Sequence, residues 1–120
     1  MKIAFCVQND NGLDSVIDSR FGRSPGFLVY DTDTDSTSYF ANTQNFSAPQ
    51  GAGIQSAQNI AQQNVQAVIT KNCGPKAYQV LMQAGVEIYM SQDVTVKDAI
   101  QKFKKGELEK AASSNVSGHW

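Results

Sequence analysis

Hydrophobic residues cluster in five short segments of this chain, and polar turns separate them. Three segments, residues 2–8, 65–70 and 86–90, are almost continuously apolar, which is typical of strands covered on both faces of a sheet. The other two, residues 27–31 and 37–41, flank a polar turn and therefore predict an antiparallel hairpin. The pattern thus predicts five strands.

Apolar residues recur at helical spacing in three further segments, residues 54–64, 75–84 and 96–103. The elements then follow one another as β-β-β-α-β-α-β-α. Right-handed crossovers require the three apolar strands to lie parallel, with the hairpin on the other side of the first strand. We therefore predict a single α/β domain with a mixed five-stranded sheet and helices on both faces.

The composition is that of a globular domain. The 120 residues suffice for one domain, and 41% hydrophobic and 18% charged residues are unlike a disordered, collagenous or membrane protein. A net charge of −1 gives no electrostatic reason to expect nucleic acid or an anionic lipid surface as a partner. We assign residues 1–108 to the domain, and we predict a disordered tail over residues 109–120, which contain several Ser, Asn and Gly residues.

The same sequence bears on location and redox state. No apolar run exceeds five residues, far short of the roughly 20 that span a bilayer, and no secretory signal is recognisable, so we expect a cytoplasmic protein without a membrane partner. Cys6 and Cys73 lie far apart without a CxxC motif, and His119 is the only histidine. This pattern supports neither a zinc finger nor a disulfide scaffold, and we expect reduced thiols.

Connections that follow the three parallel strands are expected at one edge of the sheet, where ligands bind in open α/β folds. Cys73 lies in one of them, between a buried strand and Gly74 at a helix start. Unpaired N–H groups and the helix dipole favour thiolate there, so we predict a reactive thiol with a lowered pKa that ligates a metal. The alternative is a small apolar residue at a strand end. Cys6, within the first strand, is predicted to be a core residue.

Two glycine-containing loops each open a predicted helix and so offer backbone N–H groups to an anion. One contains Gly51 and Gly53, and the other contains Asn72, Gly74 and Lys76. Neither loop is a P-loop or a complete GxGxxG motif, and glycine needed only for turn geometry explains them equally well. Lys76 faces either bulk water or a ligand.

The long connection after the first strand ends in Arg20-Phe21-Gly22-Arg23. Two guanidiniums around an aromatic ring and a glycine suit the binding of a multiply charged anion, although paired arginines are also often simply solvated. The hairpin turn carries three alternating aspartates, Asp31, Asp33 and Asp35. Turn chemistry explains them, and a divalent-cation site is the alternative.

Two enzyme classes are disfavoured by where the carboxylates and the histidine stand. A metal-dependent nuclease on a similar mixed sheet needs carboxylates around two metals, one of them on the first strand, and residues 2–8 contain none. A nucleophilic triad needs a histidine, and His119 lies in the predicted tail. We therefore predict that the protein is not an enzyme.

Four motifs follow one another along the chain: Ser19-Arg20-Phe21-Gly22-Arg23-Ser24-Pro25, Phe27-Leu28-Val29-Tyr30-Asp31, Gly51-Ala52-Gly53-Ile54-Gln55 and Asn72-Cys73-Gly74-Pro75-Lys76-Ala77. Together they resemble the dinitrogenase iron-molybdenum cofactor biosynthesis family over about residues 1–108. The resemblance implies a ribonuclease-H-like α/β/α fold that binds or carries an anionic metal–sulfur cluster in cofactor assembly. The implied cluster is the iron-molybdenum cofactor, its iron–sulfur precursor or a related molybdenum-containing cluster.

The resemblance and the loop chemistry together define a candidate site. Its cofactor-binding residues are Arg20, Phe21, Gly22, Arg23, Gly51, Gly53, Asn72, Gly74 and Lys76, and its metal ligand is Cys73. The family usually has histidine where this chain has Arg20. A guanidinium cannot ligate a metal as imidazole does, so we expect ion pairing to an anionic cluster there.

Cluster donor and acceptor proteins are the partners that the resemblance implies, with the oligomeric state left open. The alternative function is a regulatory or scaffold module that binds a protein partner or a small oxyanion without a cluster. The arginine in place of histidine favours that alternative.

Overall fold

The computed structural model describes residues 1–21, 24–42, 52–92 and 94–111. Within these ranges the strands are β1 Lys2–Val7, β2 Gly26–Asp31, β3 Ser36–Ala41, β4 Ala67–Thr70, β5 Glu87–Met90 and β6 Glu109–Lys110. They form one mixed sheet in the order β3-β2-β1-β4-β5-β6. The five predicted strands are confirmed, with ends that differ by one or two residues.

The central strand β1 pairs antiparallel with β2 and parallel with β4. β4 pairs in parallel with β5, and β2 pairs antiparallel with β3. Every residue of β1 after Lys2 is buried, as its continuous apolar sequence predicts for a strand covered on both faces. The predicted parallel trio, with the hairpin on the other side of the first strand, is therefore confirmed.

The predicted count of five strands is wrong, because Glu109 and Lys110 form a sixth strand antiparallel to the end of β5. Gly106, at φ +71°, turns the chain back after the last helix, and glycine accepts this left-handed conformation without strain. A short, exposed strand pairs through its backbone, so no apolar pattern marks it in the sequence. Two residues of the predicted tail thus lie in the sheet, and residues 112–120 lie outside the described ranges.

Three α-helices in the described part of the chain cover both faces of the sheet: α1 Ala52–Ala61, α2 Pro75–Gln83 and α3 Val96–Lys104. One core contains apolar side chains of α1 and α2, and the core on the opposite face contains those of α3. The prediction of helices on both faces is confirmed. None of the helices in the described segments is long and apolar enough to cross a membrane.

A close approach between two strands requires glycine at the start of β2. Gly26 lies beneath the side chain of Tyr39 on β3, and a Cβ atom at Gly26 would overlap the hydroxyl end of that side chain. Tyr39 is half-buried and packs against the core on the α3 face. Glycine therefore lets the tyrosine side chain lie across the backbone of the neighbouring strand.

Candidate functional site

The ends of the three parallel strands lie at one edge of the sheet, which we term the carboxyl edge. β2 begins and β3 ends at the same edge, because β2 is antiparallel to both of its neighbours. Ser91 N–H donates a hydrogen bond of 3.0 Å to the Thr70 carbonyl and so joins the connections after β4 and β5. The predicted meeting of these connections at one edge is confirmed.

The loop that joins β1 to β2, which we term the first loop, is folded onto the carboxyl edge by backbone hydrogen bonds. Asp18 N–H donates to the Cys6 carbonyl, and Ile17 N–H donates to the Val94 carbonyl in the connection after β5, each at 2.8 Å. Ser15, Ile17 and Asp18 are buried. The sequence predicted an irregular connection here. The structure shows a segment that crosses the strand ends and is hydrogen-bonded both to β1 and to the connection after β5.

Arg20 is held by the buried carboxylate of Asp18. Asp18 Oδ1 accepts hydrogen bonds from Arg20 N–H at 2.8 Å and from its Nε at 3.3 Å, while Oδ2 accepts one from Nη2 at 3.4 Å. The Asp18 side chain is 3% exposed and that of Arg20 is 47% exposed. Sequence reasoning missed Asp18, whose burial needs a charged partner such as this. The pairing leaves a fixed guanidinium partly open to solvent.

The ring of Phe21 is completely buried. It belongs to the core on the α1–α2 face, which also contains Cys6, Phe27 and Cys73. Although the sequence made Phe21 a candidate cofactor-binding residue, the structure places its ring in the core. The ring therefore anchors the first loop one residue after Arg20.

Asn72 lies in the loop between β4 and α2, which we term the second loop, and it connects this loop to the first loop. Its Nδ2 donates a hydrogen bond of 2.9 Å to the carbonyl of Ser19, which lies 53 residues earlier in the chain. The carbonyl of Asn72 in turn accepts a hydrogen bond of 2.9 Å from Thr70 Oγ1. The structure thus brings the Arg20 motif and the Cys73 motif together, as the sequence predicted, through a contact that the sequence did not reveal.

Cys73 follows β4 as predicted, but it is only 1% exposed, and its thiol donates to the Gly74 carbonyl at 3.6 Å. Burial raises the pKa of the Cys73 thiol from 9.0 to about 12, because an ionised sulfur there would lose its hydration. The expectation that helix N–H groups lower this pKa is therefore wrong. Cys6 is fully buried, as predicted, and the two cysteines do not form a disulfide.

We expect alkylation of Cys73 in the folded protein to keep accelerating with pH up to about pH 10. The thiolate is the reactive species, so a pKa of about 12 makes the rate rise about tenfold for each pH unit. The folded state also loses stability as pH rises from 9 towards 12, because the unfolded chain releases this proton first. Iodoacetamide labelling followed by mass spectrometry measures the rate, and a plateau below pH 9 in the folded protein would contradict the assignment.

The other predicted site residues that the structure describes lie at the starts of α1 and α2. Gly74 is the N-cap residue of α2, and Lys76 is exposed in the first turn of that helix. Gly53 lies in the first turn of α1. The predicted residues that fall outside the described ranges are Gly22, Arg23 and Gly51. Lys76 thus adds a further cationic side chain near the carboxyl edge.

A buried polar cluster at the end of β3 holds the far end of the first loop. Asn42, Ser24 and Ser56 are all 0% exposed. Asn42 Nδ2 donates to the Ser24 carbonyl at 3.1 Å and to Ser56 Oγ at 3.2 Å, and Asn42 N–H donates to the Pro25 carbonyl at 2.8 Å. No sequence signal marks Asn42, because one polar residue after a strand looks like any turn residue.

The aspartates of the hairpin turn bond to the turn backbone, to a tyrosine of β2 and, in the case of Asp33, to the N-terminal amine of Met1 at 3.1 Å. Asp31 Oδ1 accepts a hydrogen bond of 2.9 Å from Asp33 N–H, and Asp35 Oδ1 accepts one of 2.5 Å from Tyr30 Oη. Among the residues that the structure describes, no three His, Cys, Asp or Glu side chains form a group that could hold a metal ion. Turn chemistry therefore explains these carboxylates.

Comparison with known proteins gives a family match over most of the chain. A family model described as dinitrogenase iron-molybdenum cofactor matches residues 1–106. An uncharacterized protein from Methanocaldococcus jannaschii is 31% identical over 112 residues, which cover 92% of this chain and 91% of that protein.

Two solved structures are similar over nearly the whole chain. The apo form of the orange protein from Desulfovibrio gigas is 35% identical, with a TM-score of 0.91 and 96% of both chains covered. A NifB-like protein from Thermotoga, of the DUF35 family and solved by NMR, is 28% identical, with a TM-score of 0.82 and with 96% of this chain and 97% of that chain covered.

Proposed function

The chain belongs to the dinitrogenase iron-molybdenum cofactor family, and from this membership we propose that it binds an anionic metal–sulfur cluster, or the precursor of one, at the carboxyl edge. In this proposal the cluster is cargo that the protein holds and passes on, and the protein catalyses no reaction. The cargo is of the iron-molybdenum or iron–sulfur type, or a related molybdenum-containing cluster.

The observation that carries the proposal is the guanidinium of Arg20, which the buried Asp18 carboxylate fixes while 47% of the arginine side chain stays exposed. A guanidinium that is already ordered loses little conformational entropy when it binds an anion. Lys76 and the first turn of α2 add positive potential on the second loop. Such groups suit outer-sphere binding, in which an anionic cluster is held through its sulfide or oxide atoms.

We also propose Cys73 as a metal ligand for the bound cluster. A coordinated metal displaces the thiol proton, so the raised pKa of Cys73 weakens ligation without preventing it. The thiol lies in the same core as the Phe21 ring. Because Cys73 is only 1% exposed, ligation requires a local opening of the structure that exposes the sulfur.

Anaerobic reconstitution with iron, sulfide and molybdate tests the proposal. We expect the desalted protein to retain metal and to show charge-transfer absorption, and we expect high salt to release the metal because screening weakens ion pairing. Cys73→Ser should retain less metal than Cys6→Ser, a matched control from the same core. Metal-free, colourless protein that is still folded would refute cluster binding, whereas full retention by Cys73→Ser would refute only the ligand role.

The second candidate function is a regulatory or scaffold module that binds a protein partner or a small oxyanion without a cluster. Arg20 in place of the family's usual histidine and the buried thiol of Cys73 favour it. Titration with molybdate and with tetrathiomolybdate separates the two functions. A small-oxyanion module should bind molybdate at least as tightly, whereas a cluster carrier should prefer the sulfide-rich anion.

For the carrier role, we propose that the protein works in the cytoplasm, where it receives a cluster from a donor protein and passes it to an acceptor protein.

We also infer that the mixed sheet and its two helical layers are a ribonuclease-H-like fold used without nuclease chemistry. The absence of a carboxylate from β1, which runs from Lys2 to Val7, supports this inference.

A further inference from the structure

We propose that Asn72 is a positioning residue of the carboxyl edge. Its side-chain amide holds the first loop, and with it Arg20, in place for an anion, and the amide does not itself contact the ligand. The inference rests on the proposed function and adds to it the device that orders the binding loop. It also replaces the role that the sequence suggested for Asn72, which was that of a cofactor-binding residue.

The first support is a chain of hydrogen bonds that begins in the sheet. Thr70 is the last residue of β4 and is fully buried, and its Oγ1 donates to the carbonyl of Asn72 at 2.9 Å. Asn72 Nδ2 then donates to the carbonyl of Ser19, the residue directly before Arg20, at 2.9 Å. A rigid strand end is thereby connected, through one side-chain amide, to the peptide bond that joins Ser19 to Arg20.

The second support is that the loop is fastened in a similar way at its far end. The buried amide of Asn42 donates to the carbonyl of Ser24 at 3.1 Å. Between these two points the ring of Phe21 is anchored in the core, and Asp18 pairs with Arg20. Both asparagine amides donate to backbone carbonyls of the loop, so both contacts restrict the loop backbone from outside it.

The two asparagines differ in burial, which makes Asn72 the better residue to test. Asn42 is 0% exposed, so its removal would leave buried polar groups without partners and destabilise the fold. Asn72 is only half-buried, and water can reach the Ser19 carbonyl once the amide is gone. Asn72→Ala should therefore loosen the loop with little change in thermal stability.

The test combines Asn72→Ala with the loss of both arginines of the first loop and measures affinity for tetrathiomolybdate. We expect Asn72→Ala to weaken binding about three- to tenfold, the range of one net hydrogen bond. In the Arg20→Ala/Arg23→Ala background the same substitution should have almost no further effect, because the loop then carries neither of its two guanidiniums. Additive effects would show that Asn72 contacts the anion itself, and an unchanged affinity in Asn72→Ala would show that it does not order the loop. Either result overturns the proposal.

A matched control shows whether the loss of any asparagine side chain changes the affinity. Asn59→Ala on α1, outside the loops of the carboxyl edge, should leave both the affinity and its salt dependence unchanged. Asn72→Ala should reduce the salt dependence towards that of Arg20→Ala, because the contribution of an ordered charge is what is lost. A purely structural role for Asn72 would not change this salt dependence.

A second measurement needs no ligand and so separates this inference from the proposed function. Trypsin cleaves after Arg20, and cleavage requires the loop backbone to leave its place. Mass spectrometry should show the Arg20–Phe21 bond cut several-fold faster in Asn72→Ala than in the wild type or in Asn59→Ala. Equal cleavage rates overturn the positioning role. Failure of the wild type to bind tetrathiomolybdate, together with faster cleavage of the variant, would refute the proposed function alone.

Discussion

The double variant Arg20→Ala/Arg23→Ala should bind tetrathiomolybdate at least about tenfold more weakly than the wild-type chain. Each charge-assisted contact of a guanidinium contributes about 1.5–3 kcal/mol, so the loss of one full contact is enough for this effect. Arg20 is included because Asp18 orders it, and Arg23 because the sequence motif pairs it with Arg20. Isothermal titration calorimetry under anaerobic conditions at low salt measures the dissociation constants.

A matched control separates a local contact from a change in net charge. Lys2→Ala/Lys105→Ala removes two positive charges from the opposite edge of the sheet, where β1 begins and α3 ends. We expect this variant to bind within about twofold of the wild type, since screening weakens distant charges. If the arginine variant is folded and its affinity is unchanged, the anion binds somewhere other than the first loop.

Phe21→Ala should cost about 3–5 kcal/mol of the free energy of unfolding. The ring is 0% exposed and shares a core with Phe27 and Cys73, so its removal leaves a cavity beneath the first loop. Because the same ring anchors the residue after Arg20, tetrathiomolybdate affinity should fall as well. Urea denaturation followed by circular dichroism measures the stability.

Two further substitutions calibrate this result. Phe21→Leu fills most of the cavity and should cost less than about 1.5 kcal/mol. Phe40→Ala removes a ring of the same size that is 36% exposed on β3, and it should cost far less than Phe21→Ala. Similar losses for Phe21→Ala and Phe40→Ala would contradict the central position of the Phe21 ring.

The strands of the fold were predictable where burial imposes a pattern. Residues 3–7 are apolar at every position because β1 is covered on both faces, and this also identified the strand as central. The parallel order then followed from the handedness of crossovers, which depends on topology and not on any individual residue. β6 was not predictable, because Glu109 and Lys110 are exposed and pair through their backbone.

The position of the site was predictable from the sequence, but the directions of its side chains were not. Cys73 follows a parallel strand, so its place at the carboxyl edge was expected from topology. Its burial comes from a core that also contains Phe21, a residue more than 50 positions away, and the loss of hydration in that core raises the pKa that the sequence had led us to expect to be lowered. The amide of Asn72 likewise turns to Ser19 because of tertiary packing, which no local motif specifies.

The close approach of Tyr39 to Gly26 constrains the order in which these two positions can evolve. A mutation that gives position 26 a side chain has to displace the hydroxyl end of Tyr39, and with it the packing of this half-buried ring against the core. A smaller residue at position 39 opens the space first and removes this overlap. The pair is therefore expected to show epistasis, in which the cost of a substitution at position 26 depends on the residue at position 39.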